Sequence, residues 1–184
     1  MFYNPFMLNK ILNTPTLSLI RRNHGLEHAT LQVLARRHPG LPMAGHSTAS
    51  GFRLIGSLPT SEVEEAVLEA LGRLRAGEHR LAIHPNCGTN FVTAGTLAGV
   101  AAGLSMLNTG PRRRDLLERL ALAASLATLA MMVGLPLGMR LQEGITVSGD
   151  PGNLEVVQIT HQKLRMAWGS AGTGAVVHFV RTRG

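Results

Sequence analysis

A chain of 184 residues with 45% apolar content can bury one ordinary core or two small ones, and is too apolar to be disordered. Its single cysteine excludes an internal disulfide framework but leaves one thiol available as a ligand. The net charge of +7 raises nucleic acid as a partner, yet the arginines are scattered, and only Phe52 and Trp168 stand near basic residues as a stacking surface requires. Nucleic acid is therefore set aside, and contact with anionic lipid head groups accounts for the surplus charge more simply.

Residues 1–20 are apolar but broken by Asn4, Pro5, Lys10, Asn13 and Pro15, and no small-residue cleavage site follows a clean apolar run. They read as a segment on a membrane surface, or packed on other helices, rather than as a signal peptide. From Thr16 to Arg37 the apolar residues keep a helical period, which Pro39-Gly40 ends. Leu17, Ile20, His24, Glu27, His28, Leu31, Leu34 and Ala35 share one stripe, with Arg22 and Arg36 opposite, so two imidazoles and a carboxylate fall on the inward face. Met43 to Leu58 reads as a hairpin turning at Ser50-Gly51, with Phe52 to Ile55 in its second strand.

Ser61 and Glu64 have the spacing of a capping box, at the start of a helix whose stripe is Val63, Ala66, Val67, Ala70, Leu71 and Leu74 and which ends at Gly77. Leu81 to His84 reads as a strand stopped by Pro85, completing a strand-helix-strand unit from Phe52 to His84. The turn-rich segment His84-Pro85-Asn86-Cys87-Gly88-Thr89-Asn90 follows.

Between Asn90 and Arg140 the only charged residues are Arg112, Arg113, Arg114, Asp115, Glu118 and Arg119. The uncharged run Phe91–Leu107 is near the lower limit for crossing a hydrocarbon core, and Leu120–Met139 is ample, so the pair reads as a transmembrane hairpin. Gly95, Gly99 and Gly103, flanked by Ala94, Ala98 and Ala102, leave one side of the first helix almost bare backbone, which suits close helix contact. Ala130, Gly134 and Gly138 answer on the second helix, where Pro136 is tolerated if neighbours satisfy the freed carbonyl. The glycine face also offers a surface to a second copy or another membrane protein.

Ile145–Val147, Leu154–Thr160 and Ala175–Val180 are strand candidates, separated by Asp150-Pro151-Gly152 and the glycine-rich stretch 169–174. The expected fold class is therefore α+β: a small mixed α/β head from residues 1–90 and 141–184, carrying a transmembrane helical hairpin over 91–140. The arginines at the hairpin tip are balanced by Arg73, Arg75, Arg80 and Arg140 at its flanks. The lack of an export signal and the free thiol favour a multi-pass protein of the inner membrane with its head in the cytoplasm.

The chemistry centres on His24-Gly25-Leu26-Glu27-His28. Histidines one turn apart can present ring nitrogens to one ion, and this H-x-x-E-H order inverts the zincin motif. Two histidines and a glutamate are costly to bury without a strong partner, and a divalent cation, zinc first, suits all three. His84 and Cys87 are the candidates to complete the ligand set, with His46 and Asn90 in reserve, while His38, His79, His161 and His178 read as solvated. With Glu27 as general base, the class of reaction is metal-assisted hydrolysis. Two alternatives stay open: a non-catalytic membrane subunit or assembly factor with a structural metal or hydrogen-bond site, and an iron centre in which Glu27 is itself a ligand.

The motifs His24-Gly25-Leu26-Glu27-His28-Ala29 and His84-Pro85-Asn86-Cys87-Gly88-Thr89 resemble those of uncharacterised bacterial membrane proteins related to the YqhQ-like metal-dependent enzymes, which read His-Gly-Ala-Glu-His and His-Pro-Arg-Cys-Gly-Thr. Leu141-Gln142, Thr146 and Asn153-Leu154-Glu155-Val156 resemble the segment that closes that family's membrane region, and the likeness covers most of residues 23–160. The chain departs at Leu26 and Ala29, where the larger family often has Ala and Lys, and by the inserted segment 43–77; it is closer to a sibling group sharing His-Gly-Leu-Glu-His-Ala. The resemblance implies a membrane location and a metal site, and supplies no substrate.

Overall fold

The computed structural model describes residues 5–107, 110, 112–163 and 176–184. In chain order it holds α1 (Pro5–Leu12), α2 (Pro15–Arg37), β1 (Ala44–Thr48), β2 (Gly51–Gly56), α3 (Thr60–Arg75), a 3-10 turn (His79–Ala82), α4 (Gly88–Ser105), α5 (Arg113–Leu141) with a π turn (Gln142–Thr146), β3 (Glu155–Lys163) and β4 (Val176–Arg183). It divides into two units, Met1–His84 with Ile145–Gly184, and Pro85–Gly144.

The first unit is mixed α+β. Its four strands form one antiparallel sheet in the order β1-β2-β4-β3. Strand alternation decides which face is covered: Phe52 and Leu54, opposite Val180 and His178, are fully buried, whereas the intervening Arg53 and Ile55 are exposed. The covered face packs on Leu26 and Leu34 of α2 and on Val63, Val67 and Leu74 of α3. Each large apolar side chain fully buried there contributes about 1.5–3 kcal/mol. All six residues of the expected α3 stripe are buried.

Several local expectations are corrected. The capping box does not form, because α3 begins at Thr60 behind Pro59 and no side chain caps it, which places Ser61 inside the first turn. Leu81–His84 is no strand, and the strand-helix-strand unit is absent: Gln32 Nε2 donates to the carbonyls of Leu81 and Ile83 at 2.9 and 2.8 Å, and His28 Nδ1 to that of Ala82 at 2.6 Å. Side chains of α2 thereby satisfy the acceptors a sheet neighbour would use. Ile145–Val147 is not a strand either, since α5 overruns into the π turn and α2 takes the next backbone groups, with Ser148 N–H donating to the Arg21 carbonyl at 2.9 Å. The later strand candidates are β3 and β4, and the stretch 169–174 between them lies outside the described residues.

The second unit is the helix pair α4 and α5, with Pro136 inside α5. A Cβ on Gly134 would come within 2.5 Å of the Ala94 Cα, and one on Gly138 within 2.6 Å of the Asn90 Cα, so the backbones touch where both residues are small. The contact uses the Asn90, Ala94 and Ala98 side of α4, not the Gly95, Gly99 and Gly103 side, where an added Cβ would meet nothing within 4 Å. Alanines one residue earlier are small enough to serve, and they lie about 100° around the helix from the glycines. Large apolar side chains face outward instead, among them Phe91, Val92, Leu104, Leu117, Leu129 and Met132. Among the described residues one helical stretch, Arg113–Thr146, is long and apolar enough to cross a membrane.

Candidate metal centre

Helix α2 lies unusually close to the segments on either side of it. A Cβ on Gly25 would overlap the carbonyl oxygen of Ser148 and touch the Ala82 side chain at 3.3 Å, so only glycine permits the approach. That approach delivers two backbone carbonyls to two imidazoles: His24 Nδ1 lies 3.0 Å from the Thr146 oxygen, and His28 Nδ1 lies 2.6 Å from the Ala82 oxygen.

A carbonyl oxygen only accepts, so each Nδ1 carries the proton and donates it. In the neutral ring each Nε2 then keeps its lone pair. This is the arrangement by which backbone acceptors orient metal-binding histidines. The His24 and His28 rings lie 4.3 Å apart between centroids, and His84 lies 5.6 Å from His28. His28 is buried; His24 and His84 are half-buried.

Glu27 is buried too, and leans on the sheet. Ser47 Oγ donates to its Oε2, and the carboxylate abuts Gly45, where any side chain would displace it. Gly45 and Ser47 stand opposite the buried Leu54 and Phe52, on the face of β1 that meets α2. The residue before His24 is anchored as well: Asn23 Nδ2 donates to the Thr48 carbonyl at 2.8 Å, and Thr182 Oγ1 donates to Asn23 Oδ1 at 2.6 Å. Sequence reasoning missed Asn23, Gly45 and Ser47; the one available signal was a pair of small residues two apart on a strand.

The other expected site residues have separate places. Cys87, which forms no disulfide, is buried at the N-cap of α4 in the second unit, three residues beyond His84. Asn90, held in reserve as a ligand, is committed elsewhere: its Nδ2 donates to the Pro85 carbonyl and its Oδ1 accepts from Gln142 Nε2, both at 2.6 Å. His46 is exposed opposite Arg53, on the face of the sheet turned away from α2, so it does not join the imidazoles.

His38 is bonded to Glu62 at 2.5 Å, His79 Nδ1 donates to the Gly149 carbonyl at 2.8 Å, and His161 is exposed. His178 is the correction among them. It is fully buried behind the sheet, its Nε2 3.3 Å from Thr60 Oγ1, because its strand parity matches that of Val180 and Thr182. Burial holds its pKa below the ordinary value, and the nearby His161 adds to the shift.

Residues 19–159 match a protein family described as a domain of unknown function, DUF6391. The chain is also 36% identical over 177 residues, covering 91% of its own length and 80% of the relative's, to an uncharacterized protein of Picosynechococcus sp. (strain ATCC 27264 / PCC 7002 / PR-6). No solved structure matches.

Proposed function

The chain belongs to the DUF6391 family, and from the geometry of its histidines we propose that it is a membrane-embedded, metal-dependent enzyme of the hydrolytic class. One observation carries the reading: two adjacent imidazoles are oriented by backbone carbonyls through Nδ1, which makes Nε2 the ligating atom of each ring. His24 and His28 would hold a divalent ion, zinc first, through those atoms, with His84 or Cys87 as the candidate for the third donor. Bound there, the ion supplies Lewis-acid activation of water and of a substrate oxygen. Glu27 takes the proton from the attacking water, and Ser47 holds its carboxylate in place. That engagement with β1 favours the role of base over that of ligand.

The helix pair, with its outward apolar side chains, is the anchor, and both α4 and α5 cross the inner membrane, leaving the mixed unit in the cytoplasm. The open glycine face of α4 is where a second copy or another membrane protein would pack. The two histidine motifs support a relation to the YqhQ-like metal-dependent enzymes.

A second reading, a structural site in a non-catalytic subunit, is favoured by the buried Cys87, because His24, His28, His84 and Cys87 together would close a four-ligand shell. Glu27→Gln separates the two. A hydrolase keeps its metal and loses its activity in cells, whereas a structural site keeps both. Loss of metal in Glu27→Gln would instead make the carboxylate a ligand.

A further inference from the structure

Strand β1 is an edge of the sheet: among the described residues it has β2 on one side and no strand on the other. An edge exposes backbone donors and acceptors, and proteins commonly spoil it with charge, proline or a bulge. The far edge is spoiled in this way, since β3 begins on Glu155 and bulges between Val156 and Gln158. The β1 edge is left intact. Its residues Ala44-Gly45-His46-Ser47-Thr48 pair with β2 in unbroken register and include no proline, lysine, arginine, aspartate or glutamate, and Ala44, Gly45 and His46 are exposed.

This edge runs beside the histidines. α2 packs on β1 and β2, and α3 packs on β3, so across the sheet α2 lies toward the β1 edge. Asn23 and Glu27 face β1, bonded to the Thr48 carbonyl and to Ser47. His24 and His28 stand about 60° and about 100° round the helix from Glu27 in one direction, and Leu26 and Val33 about 100° and about 120° in the other. Leu26 and Val33 join the core shared with α3, so the imidazoles lie on the side of α2 turned away from α3, next to the open edge. The ligand that fits such an edge is an extended polypeptide, because its N–H and C=O groups repeat at the spacing of a strand.

We propose that the substrate is an extended polypeptide, laid along the open edge of β1 and hydrolysed at a backbone amide. This rests on the hydrolytic reading above and names its substrate class. Glu27 takes a proton from the attacking water, whose oxygen bonds to the amide carbonyl carbon. As the C–N bond breaks, that proton passes to the leaving nitrogen, so amide and water become a carboxylic acid and an amine.

The test uses the full chain in detergent, loaded with zinc, with two probes: p-nitrophenyl acetate and a mixture of unstructured, internally quenched decapeptides whose cleaved bonds are located by mass spectrometry. Wild type cleaves peptides, and Glu27→Gln loses that activity. When a cleaved peptide is remade with each backbone nitrogen methylated in turn, kcat/KM falls about 10-fold at alternate residues only, because alternate amides face the partner strand. A p-benzoylphenylalanine placed at the exposed His46 of β1 cross-links the same peptide in the Glu27→Gln background, and one at the exposed Gln162 of β3 does not. Ester hydrolysis that depends on Glu27, with every peptide left intact, would overturn the substrate class while the hydrolytic reading stands. Peptide cleavage without the alternating pattern, or without the His46 cross-link, overturns the place on β1. If neither probe is hydrolysed, the hydrolytic reading falls and this inference with it.

Discussion

The two units of this chain solve the packing problem in opposite ways. In the mixed unit, Phe52, Leu54, Leu26 and Leu34 are fully buried between sheet and helices, while Arg53, Arg36 and Arg37 stay toward solvent. In the helix pair the interior is Ala94, Ala98, Gly134 and Gly138, and the large side chains of Phe91, Val92, Leu117 and Met132 point outward. A unit of the first kind is held together by the transfer of apolar surface out of water. The second leaves most of its apolar surface outside and relies on close backbone contact with a buried amide pair, an arrangement that would suit the membrane location proposed for it. The contrast shows that burial of large side chains identifies a core only once the surrounding medium is specified.

Truncation of the first unit's core gives the largest expected effect. Phe52→Ala should cost about 3–5 kcal/mol of unfolding free energy by denaturant titration, from lost burial and the cavity left behind. A change near the ±0.5 kcal/mol expected of surface positions would mean that the sheet face is not packed as described.

The contrast itself is tested by one substitution made twice. Leu68 on α3 and Leu129 on α5 are similarly exposed, at 55% and 59%. Leu68→Lys should shift stability by no more than about 0.5 kcal/mol. Leu129→Lys should disfavour membrane insertion by about 3 kcal/mol in a glycosylation-based insertion assay. Equal tolerance at both positions would remove the distinction between the units.

Gly25→Ala pits a methyl group against the Ser148 carbonyl and should destabilise the first unit by about 1–3 kcal/mol. Because the same approach brings Thr146 to His24, the substitution should also weaken metal binding. Unchanged affinity would detach the carbonyl bond from the site.

The smallest effect is a pH dependence confined to the sheet. Burial lowers the native pKa of His178 from an ordinary value of 6.5. Above that value native and unfolded chains both hold the residue neutral, so its contribution to stability is constant. As pH falls below 6.5 the unfolded chain takes up a proton that the native state refuses, and stability declines until the lower native pKa is passed. His178→Gln should flatten that part of the pH-stability profile, and an unaltered slope would assign it to another group.

How much of this was legible in the sequence varied with the range of the interactions involved. The α3 stripe and the alternation of β2 were readable because each encodes its own period, and both reflect burial on one side only. Leu81-Ala82-Ile83 was unreadable, being a short apolar run whose backbone is claimed by Gln32 and His28 from about fifty residues upstream. The histidine pair was visible one turn apart, but the carbonyls of Thr146 and Ala82 that orient it, and the Gly45 and Ser47 beneath Glu27, come from other elements and left no local pattern. The small residues of α4 were equally plain. Which side they used depends on partners far along the chain, Gly134 against Ala94 and Gly138 against Asn90, and so left no local pattern.

The most direct test of the central claim is X-ray absorption on the purified full chain after stoichiometric loading with zinc. The account predicts one bound ion per chain with nitrogen neighbours at about 2.0–2.1 Å, and a sulfur at about 2.3 Å if Cys87 is a donor. It further predicts loss of the ion in both His24→Ala and His28→Ala. A wild-type chain that retains no zinc, or a coordination shell of oxygen alone that both substitutions leave intact, would contradict it.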